Sequence, residues 1–279
     1  MIELGLLGYP LGHSLSPALH QAALRDLGLE GRYRLFPIPP MPEGEAELRD
    51  RLARLRAGEL DGLNVTIPHK QAVIPWVDEL SPVARAVNAV NTLVRQDGWL
   101  IGDNTDVPGF LTDLRVCGVD VAAGGACLVL GAGGAARAVA YALVDSGWQV
   151  TVAARRPEAA RQFAHWKCQA APLTGEGIRP LLAGCRLIVN ATPLGMHPHG
   201  EGSPWPEGLD FPTGAFVYDL VYNPPDTRLV RQAREAGLSA RTGLGMLIEQ
   251  AALSFERWLG RAPSRQVMRE AVFSIAKEK

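Results

Sequence analysis

Short apolar stretches recur along the chain at spacings that predict an alternation of strands and helices. Ile2–Gly8 reads as a buried strand. Ser14-Leu-Ser-Pro17 opens a helix over Pro17–Leu27, with Ser16 as its N-cap and Pro17 at the first helical position. A strand over Arg32–Ile38, an amphipathic helix over Glu43–Ala57 and a strand over Gly62–Ile67 follow, and after Pro68 the pattern turns helical again. Asn91–Ile101 differs: two apolar arms flank Asp97-Gly98, which predicts a β-hairpin. A helix from Val107 to about Val116 and a Gly/Ala-rich link lead into a second series. Its strands lie near Ala126–Leu130, Gln149–Ala153, Leu187–Ala191, Ala215–Leu220 and Ser239–Thr242, with helices between them. The last part, Leu244–Gly260 and Ser264–Lys277, is helical with Ser264 as a cap.

This pattern predicts the α/β class in two domains. An N-terminal α/β domain takes residues 1–105 and regains 245–279 as C-terminal helices, and a Rossmann-type doubly wound domain takes 106–244. Composition agrees with a globular chain: 47% of the 279 residues are hydrophobic and 20% charged. A net charge of −1, with no basic run, points away from nucleic acid and anionic membranes as partners, and leaves a small molecule. No apolar run reaches membrane-spanning length, and the first residues lack the pattern of a signal peptide. Cys117, Cys127, Cys168 and Cys185 are spread without metal-ligand or disulfide spacing and read as core thiols of a cytoplasmic protein. His197-Pro-His199 has too few neighbouring ligands for a metal site, so no metal is expected. A homodimer is left open.

The chemistry concentrates in a few segments. Strand Ala126–Leu130 runs straight into Gly131-Ala-Gly-Gly-Ala-Ala136 and a helix, the context in which a glycine-rich turn brings backbone N–H groups against a pyrophosphate. At the end of the next strand, where an NAD site carries Asp or Glu, this chain has Ala154-Arg155-Arg156; two guanidiniums suit the 2′-phosphate of NADP. In the first domain, Asn64 and Thr66 emerge on one face of a strand end and Lys70 lies on the turn beyond. The chain uses 24 Arg and only 4 Lys, and Lys is the cation that can give up its proton. Asp106, ending Gly102-Asp-Asn-Thr-Asp, is its candidate partner, while Asp103 or Thr105 is placed to cap the helix that follows.

Taken together, SLSP (14–17), NVTIPHK (64–70), AVNTL (89–93), GDNTD (102–106), GAGGAA (131–136), NATPLGM (190–196), DLVYNP (219–224) and GLGMLIEQA (243–251) resemble the shikimate dehydrogenase family, in the same order along the chain. The resemblance implies reversible NADPH-dependent reduction of 3-dehydroshikimate to shikimate, on the route to aromatic amino acids. It implies that Ser14, Ser16, Asn64, Thr66, Lys70, Asn91, Asp106, Tyr222 and Gln250 hold the substrate, with Lys70 and Asp106 as the catalytic pair. It also implies that Gly131, Ala132, Gly133, Gly134, Ala135, Ala154, Arg155, Arg156, Thr192, Leu220, Gly243 and Met246 line the cofactor site. Five of the six Asn residues (64, 91, 104, 190, 223) fall inside these motifs. The chain departs from the family where Asn-Arg-Thr is frequent and Ala154-Arg155-Arg156 stands, and where Leu220 replaces a common Met. Two rivals stay open: an enzyme of the same superfamily acting on quinate, and a non-catalytic NADP-binding sensor.

Overall fold

The computed structural model describes residues 1–198 and 200–277; His199, half of the His-Pro-His segment, lies outside them. Two compact units emerge, one comprising Met1–Gly109 and the chain from Ile248 onward, the other Phe110–Leu247. The chain passes between them within two helices, Asp106–Val116 and Leu244–Leu259.

The first unit is built on a six-stranded sheet. Its strands are β1 (Ile2–Gly8), β2 (Gly31–Pro37), β3 (Gly62–Val65), β4 (Glu79–Leu80), β5 (Thr92–Gln96) and β6 (Trp99–Asp103), in the order β2-β1-β3-β5-β6-β4. β5 runs against both its neighbours, because it forms one arm of the expected hairpin. Asp97 and Gly98 both take positive φ (51° and 82°), the twist a two-residue hairpin turn requires. Helices α1 (Ser16–Asp26), α2 (Glu45–Ala57) and α3 (Pro82–Val87) belong to the same unit. Leu48, Leu52 and Leu55, spaced for one face of α2, pack with Leu7, Leu63, Val65 and Leu93 from the sheet.

The second unit carries an all-parallel sheet. Its strands are β7 (Gly125–Leu130), β8 (Trp148–Ala154), β9 (Gln169–Pro172), β10 (Cys185–Asn190), β11 (Phe216–Asp219) and β12 (Ser239–Thr242), in the order β12-β11-β10-β7-β8-β9. Counted within the unit this is 6-5-4-1-2-3, the doubly wound Rossmann order with its switch point between β7 and β10. The remaining helices are α4 (Asp106–Val116), α5 (Gly134–Asp145), α6 (Pro157–Ala160), α7 (Gly175–Ile178), α8 (Arg228–Glu235), α9 (Leu244–Leu259) and α10 (Arg265–Lys277). The apolar runs of β7, β10 and β11 meet α8 through Leu128, Ile188, Val217, Leu229 and Val230.

Several local expectations need correction. The stretch after Pro68 forms successive turns and a short 3-10 segment, Ile74–Trp76, instead of an α-helix. Cross-links to other elements hold it there: His69 Nε2 meets the Ile38 carbonyl at 2.8 Å and the Val90 N–H donates to the Lys70 carbonyl at 2.7 Å. Ser16 does not cap α1, which begins at Ser16 itself with no side-chain cap. Neither Asp103 nor Thr105 caps α4; the Asn104 amide oxygen accepts from the N–H groups of Asp106 (3.1 Å) and Val107 (3.3 Å). Ser264 does cap the last helix, accepting from the Val267 N–H.

One close approach pins α9 to the first sheet. Gly62 lies directly under the Trp258 indole, where a β-carbon would overlap the ring, and Trp258 Nε1 donates to the Leu93 carbonyl at 2.9 Å. Gly62→Ala therefore has to displace the indole, and is expected to lower unfolding free energy by about 1–3 kcal/mol in urea titrations. A stability equal to or above wild type would show that the indole yields freely.

Candidate active site

In the first unit Lys70 and Asn91 converge on one buried carboxylate, that of Asp106. Asp106 stands at the start of α4, where the exposed N–H groups of a helix end favour a negative charge. Its Oδ2 receives Lys70 Nζ at 2.7 Å, with both side chains largely withdrawn from water (18% and 9% exposed). Its Oδ1 accepts from Asn91 Nδ2 at 2.9 Å. The same amide group reaches Thr105 Oγ1 at 2.9 Å and Gln250 Oε1 at 3.4 Å, so Lys70, Asp106, Asn91 and Gln250 form one connected set. Asn91 Oδ1 accepts from the Thr105 N–H (2.8 Å) and the Thr92 hydroxyl (2.9 Å), which fixes which end of the amide faces Asp106.

Asn64 joins this set indirectly. Its Nδ2 donates to the Asn91 carbonyl (3.1 Å) and to Ser254 Oγ (2.9 Å), and its Oδ1 accepts from Tyr33 (2.8 Å). Ser16 lies beside the Tyr33 phenol, and Ser14 Oγ accepts from the Ser16 N–H at 3.3 Å. Thr66 follows β3 with its backbone N–H on the Leu7 carbonyl, and among the described residues its side chain makes no bond into this network. Tyr222 belongs to the second unit, where burial pushes its phenol above the usual range.

Tyr33, Thr92 and Ser254 join the same network without having been expected there, and Thr105 joins it although it was expected only as a helix cap. Ser254 carried a signal: it lies four residues after Gln250, one helical turn along the same face of α9. Tyr33 carried none, since only folding brings β2 beside Asn64.

In the second unit the glycine turn sits at the switch point. Gly131 has φ 105°, and a β-carbon there would come within 2.9 Å of Thr192 Cγ2, so the turn can approach the end of β10 only without a side chain. Gly133 and Gly134 face open space, with nothing within 4 Å of where a β-carbon would be. That leaves the start of α5 reachable by a phosphate, which fits a dinucleotide. Gln162 braces the turn by donating to the Ala132 carbonyl at 3.0 Å and accepting from Arg137 at 3.0 Å. Ala154 is buried at the end of β8, while Arg155 and Arg156 are exposed just beyond it.

Thr192 is held through Asn190, whose Oδ1 accepts from its N–H (2.8 Å) and hydroxyl (2.7 Å). Asn190 Nδ2 donates to Asp219, which also accepts from the Val221 N–H (3.0 Å) and the Thr227 hydroxyl (2.6 Å). Burial outweighs these bonds and pushes the Asp219 carboxyl up to about 6. Leu220 follows directly, backed by Gly243, where a β-carbon would lie 2.6 Å from the Leu220 carbonyl oxygen. Met246 is buried on the first turn of α9. Among the described residues no three His, Cys, Asp or Glu side chains group as metal ligands, and no helix is long and apolar enough to cross a membrane.

Known proteins decide the lineage of these two sites. The model of the shikimate dehydrogenase substrate binding domain matches residues 6–93, and that of the shikimate 5'-dehydrogenase C-terminal domain matches residues 243–273. A relative from Salinibacter ruber named shikimate dehydrogenase (NADP(+)) is 44% identical, over 96% of this chain and 95% of its own. The chain belongs to the shikimate dehydrogenase family. Within this family, the crystal structure of shikimate 5-dehydrogenase from Thermus thermophilus in complex with NADP(H) and shikimate superposes with a TM-score of 0.87 at 41% identity, covering 98% of this chain and 99% of that one. A quinate dehydrogenase from Corynebacterium glutamicum in complex with NAD also shares the fold, with a TM-score of 0.86 at 33% identity over 98% and 99% of the two chains.

His20 lies behind the network. It is fully buried, stacked on Tyr33 with ring centroids 4.3 Å apart, and among the described residues neither ring nitrogen has a hydrogen-bond partner. Burial drives its pKa from 6.5 down to about 3, against a weaker opposing effect of the Asn64 amide. The folded chain thus keeps His20 neutral while the unfolded chain binds a proton below 6.5. Its contribution to stability is complete above pH 6.5 and is lost as pH falls toward 3. His20→Leu is expected to remove about one proton from the acid side of the stability curve, flattening it by about 1.4 kcal/mol per pH unit between about pH 6 and 4. Urea unfolding across that range is the check, and parallel curves for the two proteins would refute it.

Proposed function

We propose that this chain is an NADP-dependent shikimate dehydrogenase, catalysing reversible reduction of 3-dehydroshikimate to shikimate in aromatic amino-acid biosynthesis. The observation that carries this reading is the 2.7 Å pairing of Lys70 with Asp106, with the second oxygen of Asp106 held by Asn91. The first unit, with the helices after Ile248, is then the substrate domain, and Phe110–Leu247 the cofactor domain. Cys117, Cys127, Cys168 and Cys185 form no disulfide among the described residues, which accords with a reducing cytoplasm.

Bound NADP supplies the hydride chemistry. The protein's own part is proton handling and positioning. Lys70 donates a proton to the oxygen of the carbonyl as that oxygen gains negative charge, and recovers it in the reverse direction. Asp106 sets the direction of the Lys70 ammonium and offsets the cost of burying it. Asn91 prevents the carboxylate from rotating away. Ser14, Ser16, Asn64, Thr66, Tyr222 and Gln250 hold the hydroxyls and carboxylate of the substrate, an arrangement suited to a small polyol acid whose every polar group needs a partner. On the cofactor side, the backbone of Gly131–Ala135 would take the pyrophosphate and Arg155 and Arg156 the 2′-phosphate, with Ala154, Thr192, Leu220, Gly243 and Met246 lining the rest of the site.

NADP-dependent absorbance change with shikimate, set against quinate, tests the whole reading; faster turnover of quinate, or of NAD, would favour the rival. Lys70→Ala is expected to lower kcat by at least about 100-fold while shifting shikimate affinity far less. A near-wild-type kcat would remove Lys70 from the chemistry. Arg155→Ala with Arg156→Ala is expected to weaken NADP binding by about 10–100-fold and NAD binding little, measured by calorimetry on both cofactors. Equal losses for both would reassign the pair to general electrostatics.

A further inference from the structure

The Ser254 hydroxyl is fully buried on α9, lies outside every family motif, and meets side chains from β3, β5 and the loop before α4. It accepts from Asn64 Nδ2 at 2.9 Å, meets Thr92 Oγ1 at 2.8 Å and Thr105 Oγ1 at 3.1 Å, and donates to the Gln250 carbonyl at 2.9 Å. Its single proton is shared between the Gln250 carbonyl and Thr92 Oγ1, so toward Asn64 it acts as an acceptor. The other neighbour of Asn64 Nδ2, the Asn91 carbonyl at 3.1 Å, is likewise acceptor-only. Two acceptors thus occupy both N–H groups of the amide and leave its oxygen as the end with capacity to spare. That oxygen takes the Tyr33 O–H at 2.8 Å and retains a second lone pair.

We infer that Ser254 is a positioning residue for substrate recognition: it locks the Asn64 amide so that Asn64 presents an oxygen, and the substrate group it selects is a hydroxyl that donates a hydrogen bond. The inference rests on the reading of Asn64 as a substrate-holding residue. It extends that reading by giving Asn64 a polarity, with Ser254 and the Asn91 carbonyl setting it. Without the Ser254 oxygen, one Asn64 N–H loses its close acceptor and has only Thr92 Oγ1, at 3.4 Å, to turn to. The amide is then free to rotate or flip, and an N–H in the place of the oxygen opposes a donating hydroxyl. Ser254 touches neither Lys70 nor Asp106, so its loss falls on substrate binding and not on proton transfer.

The test is a double-mutant cycle between Ser254→Ala and Asn64→Ala, reading kcat, KM for shikimate, equilibrium shikimate binding and thermal melting for each protein. Ser254→Ala is expected to raise KM and Kd for shikimate about tenfold with kcat within about twofold of wild type. In the Asn64→Ala background the same substitution is expected to add nothing, because the residue it acts through is gone. If Asn64→Ala leaves shikimate binding unchanged, the reading of Asn64 as a substrate residue falls. If Asn64→Ala weakens binding but Ser254→Ala does not, or adds its full factor in the Asn64→Ala background, the positioning role of Ser254 falls while the Asn64 reading stands. Ser254→Cys, close in volume and a poor acceptor, gives the same cycle should Ser254→Ala fail to fold.

Discussion

Asn91 spends its whole side chain inside the protein. Two donors on one end meet Asp106 and Thr105, and two acceptor positions on the other receive the Thr105 N–H and the Thr92 hydroxyl. An amide buried to 2% exposure would cost free energy for each partner it lacked, so its surroundings are as constrained as it is. The loop Gly102–Asp106 must pass at the right height for Thr105 and Asp106 to reach it. Asp103 reinforces this by accepting from Ser81 at 2.5 Å and pairing with Arg257 of α9 at 2.9 Å. The Lys70–Asp106 pair inherits its geometry from this arrangement, which explains how an ion pair with so little water around it keeps a defined orientation.

The second unit solves a similar problem with a different residue. Asp219 ends β11 as a carboxyl with three donors around it, yet burial still leaves its proton unusually hard to remove. The gain is local order: through Asn190 it sets Thr192, and through the Val221 N–H it sets the backbone beside Leu220. Both units therefore place a buried amide next to a carboxylate: Asn91, just before β5, with Asp106 at the start of α4, and Asn190 with Asp219 at the ends of β10 and β11.

Much of this was legible from residue order. The strands of the parallel sheet showed as apolar runs, and the hairpin as Asp97-Gly98 between apolar arms. The scarcity of Lys and Asn drew attention to Lys70, Asn64, Asn91 and Asn190 before any contact was visible. What stayed hidden depends on long-range partners. β9 is Gln-Ala-Ala-Pro, a sequence with no β-branched or aromatic residue, and it is a strand only because β8 offers an edge. The segment after Pro68 has helical periodicity, but the Ile38 carbonyl and the Val90 N–H hold it in turns. Ser16 looks like a cap because its sequence neighbours favour one, whereas the helix already begins at Ser16 and its side chain lies beside Tyr33. Ser254 lies 190 residues from Asn64, a separation no local pattern can bridge.

The return of the chain to its first unit orders events during synthesis. Residues 1–109 leave the ribosome long before Gln250, Ser254 and Trp258, so the nascent first sheet has its strands but not the helix that covers Gly62 and accepts the Asn64 amide. The second unit, Phe110–Leu247, is contiguous and can close on its own strands as soon as it emerges. The later-made unit is thus free to close first, while the earlier-made one still lacks the Ser254 acceptor for its Asn64 amide. That amide, costly to bury unpaired, keeps its place in the half-built sheet hydrated until the last helix arrives.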